Sequence, residues 1–167
     1  MLSRLCPDEY ADSVKNIDYR GLLARGIKGL IFDVDNTLEG YEASVPSEAT
    51  AAFLLSLAAM GFKLCLVSNN NRERIETFNQ TLGFPAVHKS GKPSRKAVWR
   101  AAELMDVPAA SIALIGDQVF TDVICGKRSG TYTALVKPVT ANDPWMVALK
   151  RIPERWIVKY IRKRLKK

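Results

Sequence analysis

Three apolar runs, each four residues long and each ending in polar residues, dictate most of what this chain can fold into. Gly29-Leu30-Ile31-Phe32 runs into Asp33, Leu64-Cys65-Leu66-Val67 into Ser68-Asn69-Asn70-Asn71, and Ile112-Ala113-Leu114-Ile115 into Gly116-Asp117. Runs of that length without polar alternation suit strands buried on both faces, as in parallel sheets. A fourth run, Tyr132 to Val136, ends near Pro138, and Ala86-Val87-His88 offers a short further strand. Helical segments fill the gaps. Ser47 to Met60 stops at Gly61, and Asn70 with Glu73 has the form of a capping box for a helix stopping near Gly83. Pro93 suits the first turn of a helix running to Met105, and Val119 to Ser129 stops at Gly130. The β-α-β-α order predicts a doubly wound α/β domain, a mostly parallel sheet with helices on both faces.

Length and charge narrow the reading. With 167 residues the chain has the size of one domain, expected over 1–167 with its core at 25–140 and a basic amphipathic segment at 144–167. The longest nearly apolar run, Ala51 to Met60, includes Ser56 and is too short to span a bilayer. Asp8, Glu9 and Asp12 stand where a signal peptide would need an apolar stretch, and Cys6, Cys65 and Cys125 are too few for a disulfide framework. A reducing, cytoplasmic setting fits these features. The net charge of +8 is local: Lys150 to Lys167 holds nine basic residues and one acid, Glu154, so the preceding 149 residues are neutral overall. A uniformly basic surface is excluded.

In open α/β sheets ligands bind beyond the carboxyl ends of the strands, where the polar residues of this chain gather. Asp33 and Asp35 lie two apart at a strand end and point to one face. Two carboxylates that close need a cation or a shared proton, and oxygen ligands favour Mg²⁺. Asp117 offers a further ligand, Lys92 a positive charge and Ser68 a hydroxyl donor, the set that phosphoryl transfer requires.

Asp33-Val34-Asp35-Asn36-Thr37-Leu38 resembles the first motif of the haloacid dehalogenase (HAD) superfamily phosphatases, Ser68 the second, Lys92 in Gly91-Lys92-Pro93 the third, and Gly116-Asp117 through Thr121-Asp122 the fourth. With Pro7-Asp8-Glu9-Tyr10 and the basic C-terminus, the chain is similar to the bacterial YqeG-type phosphatases, a subfamily like the mitochondrial phosphatidylglycerophosphate phosphatases. The resemblance implies Asp33 as nucleophile and Asp35 as general acid/base. It also implies Ser68 and Lys92 at the phosphate, and Mg²⁺ at Asp33, Asp35 (through its carbonyl) and Asp117, with Asp122 bound to the metal or supporting its site; Asn69 reads equally as a phosphate contact and as a turn residue. Asn36 stands where many relatives have Gly, a departure that Asn tolerates in left-handed backbone. Asp33 to Ser68 and Ser68 to Lys92 are too short for an inserted cap domain, so the site is expected to be open to a large or membrane-borne phosphate.

The single histidine, His88, reads as structural, and Cys65 and Cys125 as core residues. The tail carries three readings: an interfacial helix on anionic lipid, a helix packed on its own domain, and a nucleic-acid contact. In the first, Trp156, Ile157, Tyr160, Ile161 and Leu165 form the apolar side and Arg155, Lys159, Arg162, Lys163 and Lys166 the basic side. The expected activity is Mg²⁺-dependent phosphomonoester hydrolysis through an aspartyl-phosphate, on a phospholipid head group such as phosphatidylglycerophosphate, at the inner face of the membrane. The alternatives are a phosphatase for nucleic-acid ends or phosphoproteins, and a weakly catalytic module that binds RNA, ribosomes or a protein.

Overall fold

A computed structural model of the protein describes residues 5–141, Glu154 and 156–163. Six parallel strands form one sheet: β1 (Glu9–Ala11), β2 (Gly29–Phe32), β3 (Lys63–Val67), β4 (Ala86–Val87), β5 (Ile112–Gly116) and β6 (Tyr132–Val136). Their order is β1-β6-β5-β2-β3-β4. The chain leaves β2 outward through β3 and β4, then crosses back to place β5 on the other side of β2. The switch point therefore lies between β2 and β5, where Phe32 is in register with Ile115.

The helices α1 (Tyr19–Ala24), α2 (Glu48–Ala59), α3 (Arg72–Asn79), α4 (Lys96–Met105) and α5 (Ile124–Ser129) connect the strands. Side-chain alternation along the strands splits the core in two. Leu30, Phe32, Leu64, Leu66, Ala113 and Ile115 meet the face that holds Leu22, Leu54 and Phe78. Ile31, Cys65, Val67, Ile112 and Leu114 meet the face with Val98, Ala101 and Cys125. The doubly wound architecture is as the sequence predicts, and the described residues contain no cap domain.

Several details differ from expectation. The sheet gains β1 and the chain gains α1, whose three and six residues carry no periodic signal long enough to read. Asp8 secures β1: its Oδ2 accepts from Thr133 N at 2.8 Å and Thr133 Oγ1 at 2.9 Å, and Lys127 pairs with its other oxygen. The cap of α3 is Asn71, accepting from Arg74 N at 2.9 Å, while Asn70 turns toward Asp35. Helix α4 begins at Lys96, three residues after Pro93, because residues 91–94 form a turn closed by Ser94 N to Gly91 O at 2.9 Å. The expected helix from Val119 opens with a wider π turn, Val119–Val123.

The C-terminal helix at 156–163 packs on the domain. Ile161 is fully buried with Val119, Val123 and Leu135, and Ile157 and Val158 lie against them. Glu154, also buried, accepts from Phe120 N at 2.9 Å. Trp156 (76% exposed) and Tyr160 (45%) face outward with Lys159, Arg162 and Lys163 instead of joining the buried side. The rest of the segment at 144–167, Arg155, Leu165 and Lys166 among it, lies outside the described residues. No helix among the described residues is long and apolar enough to cross a membrane.

Candidate active site

The ends of β2, β3 and β5 bring the polar clusters to one rim. Asp33 continues the pairing of its strand by donating its N–H to Ile115 O at 2.9 Å, which holds its side chain beside Asp117. Thr37 Oγ1 lies 3.1 Å from Asp117 Oδ1 and 3.3 Å from Asp33 Oδ2, bridging the two carboxylates. Lys92 enters from the loop after β4. Its ammonium pairs with Asp33, donates to Val67 O at 3.0 Å and stands 2.7 Å from Asp122 Oδ1. Asp122 is thereby ion-paired with the same ammonium that serves Asp33. Lys89, the other lysine of the loop, is exposed.

The π turn explains how Asp122 reaches the cluster. Its Oδ2 folds back to accept from Gln118 N at 3.1 Å and Thr121 Oγ1 at 3.3 Å. This places the carboxyl against Gly116, where a Cβ would stand 2.3 Å from Asp122 Cγ; only glycine fits. π turns of this kind recur at functional sites because they re-aim one side chain.

Asp35 occupies a separate position. Its Oδ1 accepts from Arg74 Nε at 3.2 Å and Nη2 at 3.0 Å, and its Oδ2 from Ser68 Oγ at 3.2 Å and Asn70 Nδ2 at 3.4 Å. Its carboxylate therefore stands outside the Asp33–Asp117–Asp122 group. Asn69 is committed to the lysine loop: its Oδ1 accepts from Lys92 N at 2.8 Å and Ser90 Oγ at 2.7 Å, and its Nδ2 donates to Lys92 O at 3.1 Å. The geometry makes Asn69 a clamp on Lys92. Asn36 takes the left-handed backbone (φ 62°) expected of its position. Its amide grips Thr140, accepting from Thr140 N at 2.7 Å and donating to Thr140 O at 3.0 Å.

Arg74 and Thr37 are the polar neighbours to which the sequence reading assigned no part. Arg74 left a signal: a basic residue in the first turn of α3 opposes the helix dipole and needs a compensating anion, here Asp35.

Asp33, Asp117 and Asp122 each offer a carboxylate oxygen within 4.8 Å of the others, all three are buried, and Lys92 is the cation among them. Burial raises the Asp33 carboxyl well above its ordinary range; Lys92 opposes this, and the Asp122 and Asp117 charges add to it. Burial alone would lower the Lys92 ammonium, but Asp122 and Asp33 outweigh it and hold it charged. Three buried carboxylates that converge with oxygen donors suit a hard divalent cation such as Mg²⁺.

Comparisons with known proteins give the chain its family. A family model described as "HAD-hyrolase-like" matches residues 89–164. "Probable phosphatase YqeG" of Bacillus subtilis is 34% identical over 158 residues, spanning 95% of this chain and 92% of that one. "Phosphatidylglycerophosphate phosphatase 1, chloroplastic" of Chlamydomonas reinhardtii is 28% identical, over 92% of this chain and 61% of the longer relative. Among solved structures, NagD from E. coli K-12 shares the fold at a TM-score of 0.57 and 14% identity, covering 69% of this chain and 90% of that one. The chain belongs to the YqeG-type phosphatases of the HAD-like hydrolase family.

Proposed function

We propose that this phosphatase is a Mg²⁺-dependent phosphomonoesterase acting through an aspartyl-phosphate on Asp33, with a phospholipid head-group phosphate such as phosphatidylglycerophosphate as substrate. The observation that carries the mechanism is the position of Asp33, at the switch point between β2 and β5, within reach of Lys92 and beside two further buried carboxylates. An Asp33 oxygen attacks phosphorus as the ester P–O bond breaks, and Asp35 gives its proton to the leaving alkoxide. Asp35 then takes a proton from water, whose oxygen attacks the same phosphorus, releasing phosphate and restoring the Asp33 carboxylate. Lys92 and Ser68 stabilise the phosphoryl oxygens, Asn69 holds Lys92 in place, and Thr37 orients Asp33. Mg²⁺ held by Asp33, Asp117, Asp122 and the Asp35 carbonyl would neutralise charge on the transferring group.

The substrate class rests on the plant and algal relatives, whose names give phosphatidylglycerophosphate phosphatase, and on the exposed Trp156 and Tyr160 beside Lys159, Arg162 and Lys163. Such a surface suits the interface of an anionic membrane, at the cytoplasmic side, with the whole chain acting as one domain. The test is phosphate release from phosphatidylglycerophosphate in anionic vesicles, with and without Mg²⁺, alongside phosphorylated oligonucleotides and phosphopeptides. Lipid turnover that requires Mg²⁺ is expected, and Asp33→Asn should lower it by about a thousandfold or more while keeping the wild-type circular dichroism. Preference for the oligonucleotide or phosphopeptide would overturn the lipid assignment, and a folded Asp33→Asn with retained turnover would overturn the mechanism.

A further inference from the structure

A cleft of about 560 Å³ opens beside the catalytic rim, between the ends of β1 and β6, the stretch 137–141 and the C-terminal helix. Asp117 lines it, so it runs directly into the carboxylate cluster. Leu135, Val136 and Val158 line its interior together with the buried Glu154, whose carboxylate accepts from Phe120 N, while Lys159, Arg162 and Lys163 stand along one lip and Lys137 across from them. None of the three cations on the helix has a carboxylate partner among the described residues; Arg162 lies over the Tyr10 ring at 5.6 Å. Asn36, two residues before the end of the catalytic loop at Leu38, fixes the opposite wall through Thr140.

We propose that this cleft is a second substrate subsite, which takes a non-reacting phosphodiester at Lys159 and Arg162 and the first apolar carbons beyond it against Leu135 and Val158. The inference rests on the phosphatase reading and adds to it where the rest of the substrate lies. Charge and shape support one occupant. A group leaving the Asp33 centre past Asp117 enters a channel that is cationic on its lip and mainly apolar inside, the pattern of an anionic lipid and not of a sugar or peptide. A nucleic-acid strand also carries phosphodiesters, but its bases need stacking platforms, and within the cleft the aromatic lining residue, Tyr10, already carries Arg162 on its ring, while Trp156 and Tyr160 stand outside it. The outward Trp156 and Tyr160 on the same helix continue the amphiphilic surface beyond the cleft.

The test compares wild type with the double variant Lys159→Glu/Arg162→Glu, both exposed positions, on three soluble probes. These are monomeric dihexanoyl phosphatidylglycerophosphate, glycerol 3-phosphate, and a dinucleotide with a terminal phosphate. The expected result is that the ratio of kcat/KM on the lipid to that on glycerol 3-phosphate falls by about tenfold or more in the variant, chiefly through KM. An unchanged ratio overturns the subsite, and a fall confined to the dinucleotide overturns its lipid occupant. Should wild type hydrolyse none of the probes with Mg²⁺ present, the phosphatase reading fails separately. The subsite is then read by calorimetry with dihexanoyl phosphatidylglycerol, which lacks the monoester: binding lost in the variant supports it, and equal or absent binding to both proteins overturns it.

Discussion

Lys92 is the cation on which the metal-free site depends, and replacing it with methionine isolates that dependence. Methionine keeps much of the side-chain volume, so the change is mainly one of charge. The ammonium is 3% exposed and serves Asp33 and Asp122, themselves 8% and 1% exposed. Removing one member of a buried ion cluster strands its partners, at a cost of roughly 3–5 kcal/mol. For a domain of this size each kcal/mol lowers Tm by about 2–4 °C, so a loss on the order of 10 °C is expected in EDTA. The loss depends on pH. The Asp33 carboxyl already lies above its ordinary value, so the folded state holds a proton that the unfolded state releases. Its favourable contribution is complete below the ordinary carboxyl range and disappears as pH rises through the folded-state value. Without Lys92 that value rises further, so the deficit should be smaller at pH 5 than at pH 8. Saturating Mg²⁺ should raise the variant's Tm more than the wild type's, because the ion no longer competes with an ammonium for the same oxygens. Turnover should fall by about 10² to 10³, for loss of charge at the phosphoryl group. Thermal melts by circular dichroism, in EDTA and in Mg²⁺ at both pH values, check the stability claims. A deficit equal under all four conditions would show that Lys92 acts by packing, and the electrostatic account of the cluster would be wrong.

Arg74→Ala should lower kcat by about tenfold and lower Tm as well, since it strands the Asp35 carboxylate and removes the guanidinium from the Phe78 ring; equal kcat in a steady-state assay would show that Asp35 is held by Ser68 and Asn70 alone. Glu154→Ala should cost about 1–3 kcal/mol by stranding Phe120 N, and should raise the Mg²⁺ concentration for half-maximal turnover because that turn presents Asp122; an unchanged Mg²⁺ titration would uncouple the C-terminal helix from the site. Burial would raise the Asp8 carboxyl, but hydrogen bonds from Lys127 and Thr133 reverse this and hold it below 3.8. Its contribution is therefore present above the ordinary carboxyl range and fades as pH falls through the lower folded-state value, so the Tm gap between wild type and Asp8→Asn should narrow below about pH 4 and stay constant above pH 6.

The parts of the fold legible in the sequence are those where one physical constraint dominates several adjacent residues. The strands at β2, β3 and β5 are buried on both faces, so every residue from Leu30 to Phe32 and from Ile112 to Ile115 had to be apolar, and the runs stood out. Strand β1 escaped notice because it is an edge strand of three residues, held by the Asp8–Thr133 bonds across 125 positions of sequence. Asp33, Ser68, Lys92 and Asp117 were legible because each follows a strand that the topology brings to the rim. Asp122 needed the π turn and the missing Cβ of Gly116, which no helical periodicity reveals. Arg74 and Asn69 show the limit of reading residue types alone. The sequence shows an arginine and an amide, but their partners, Asp35 and the Lys92 loop, are 39 and 23 residues away.

An uncapped rim was expected to be open to a large or membrane-borne phosphate, yet the side chains of Asp33, Asp35, Ser68, Lys92, Asp117 and Asp122 are all buried. The cover is supplied by the charged groups themselves and by short turns. Arg74 lies over Asp35, Lys92 lies between Asp33 and Asp122, and the Asn69 clamp draws the lysine loop down onto the strand ends. Desolvation of this kind strengthens every electrostatic interaction within the cluster and so serves the purpose that a closing domain serves elsewhere. The turn that carries Asp122 also anchors the C-terminal helix at 156–163: Glu154 and Ile161 are buried against it, which fastens the helix to the rim. Trp156, Tyr160 and the cations on the remaining face are then held at a fixed place beside the site. A freely hinged basic tail could bring the protein to a polyanion but could not align a phosphate with Asp33; a docked one can do both.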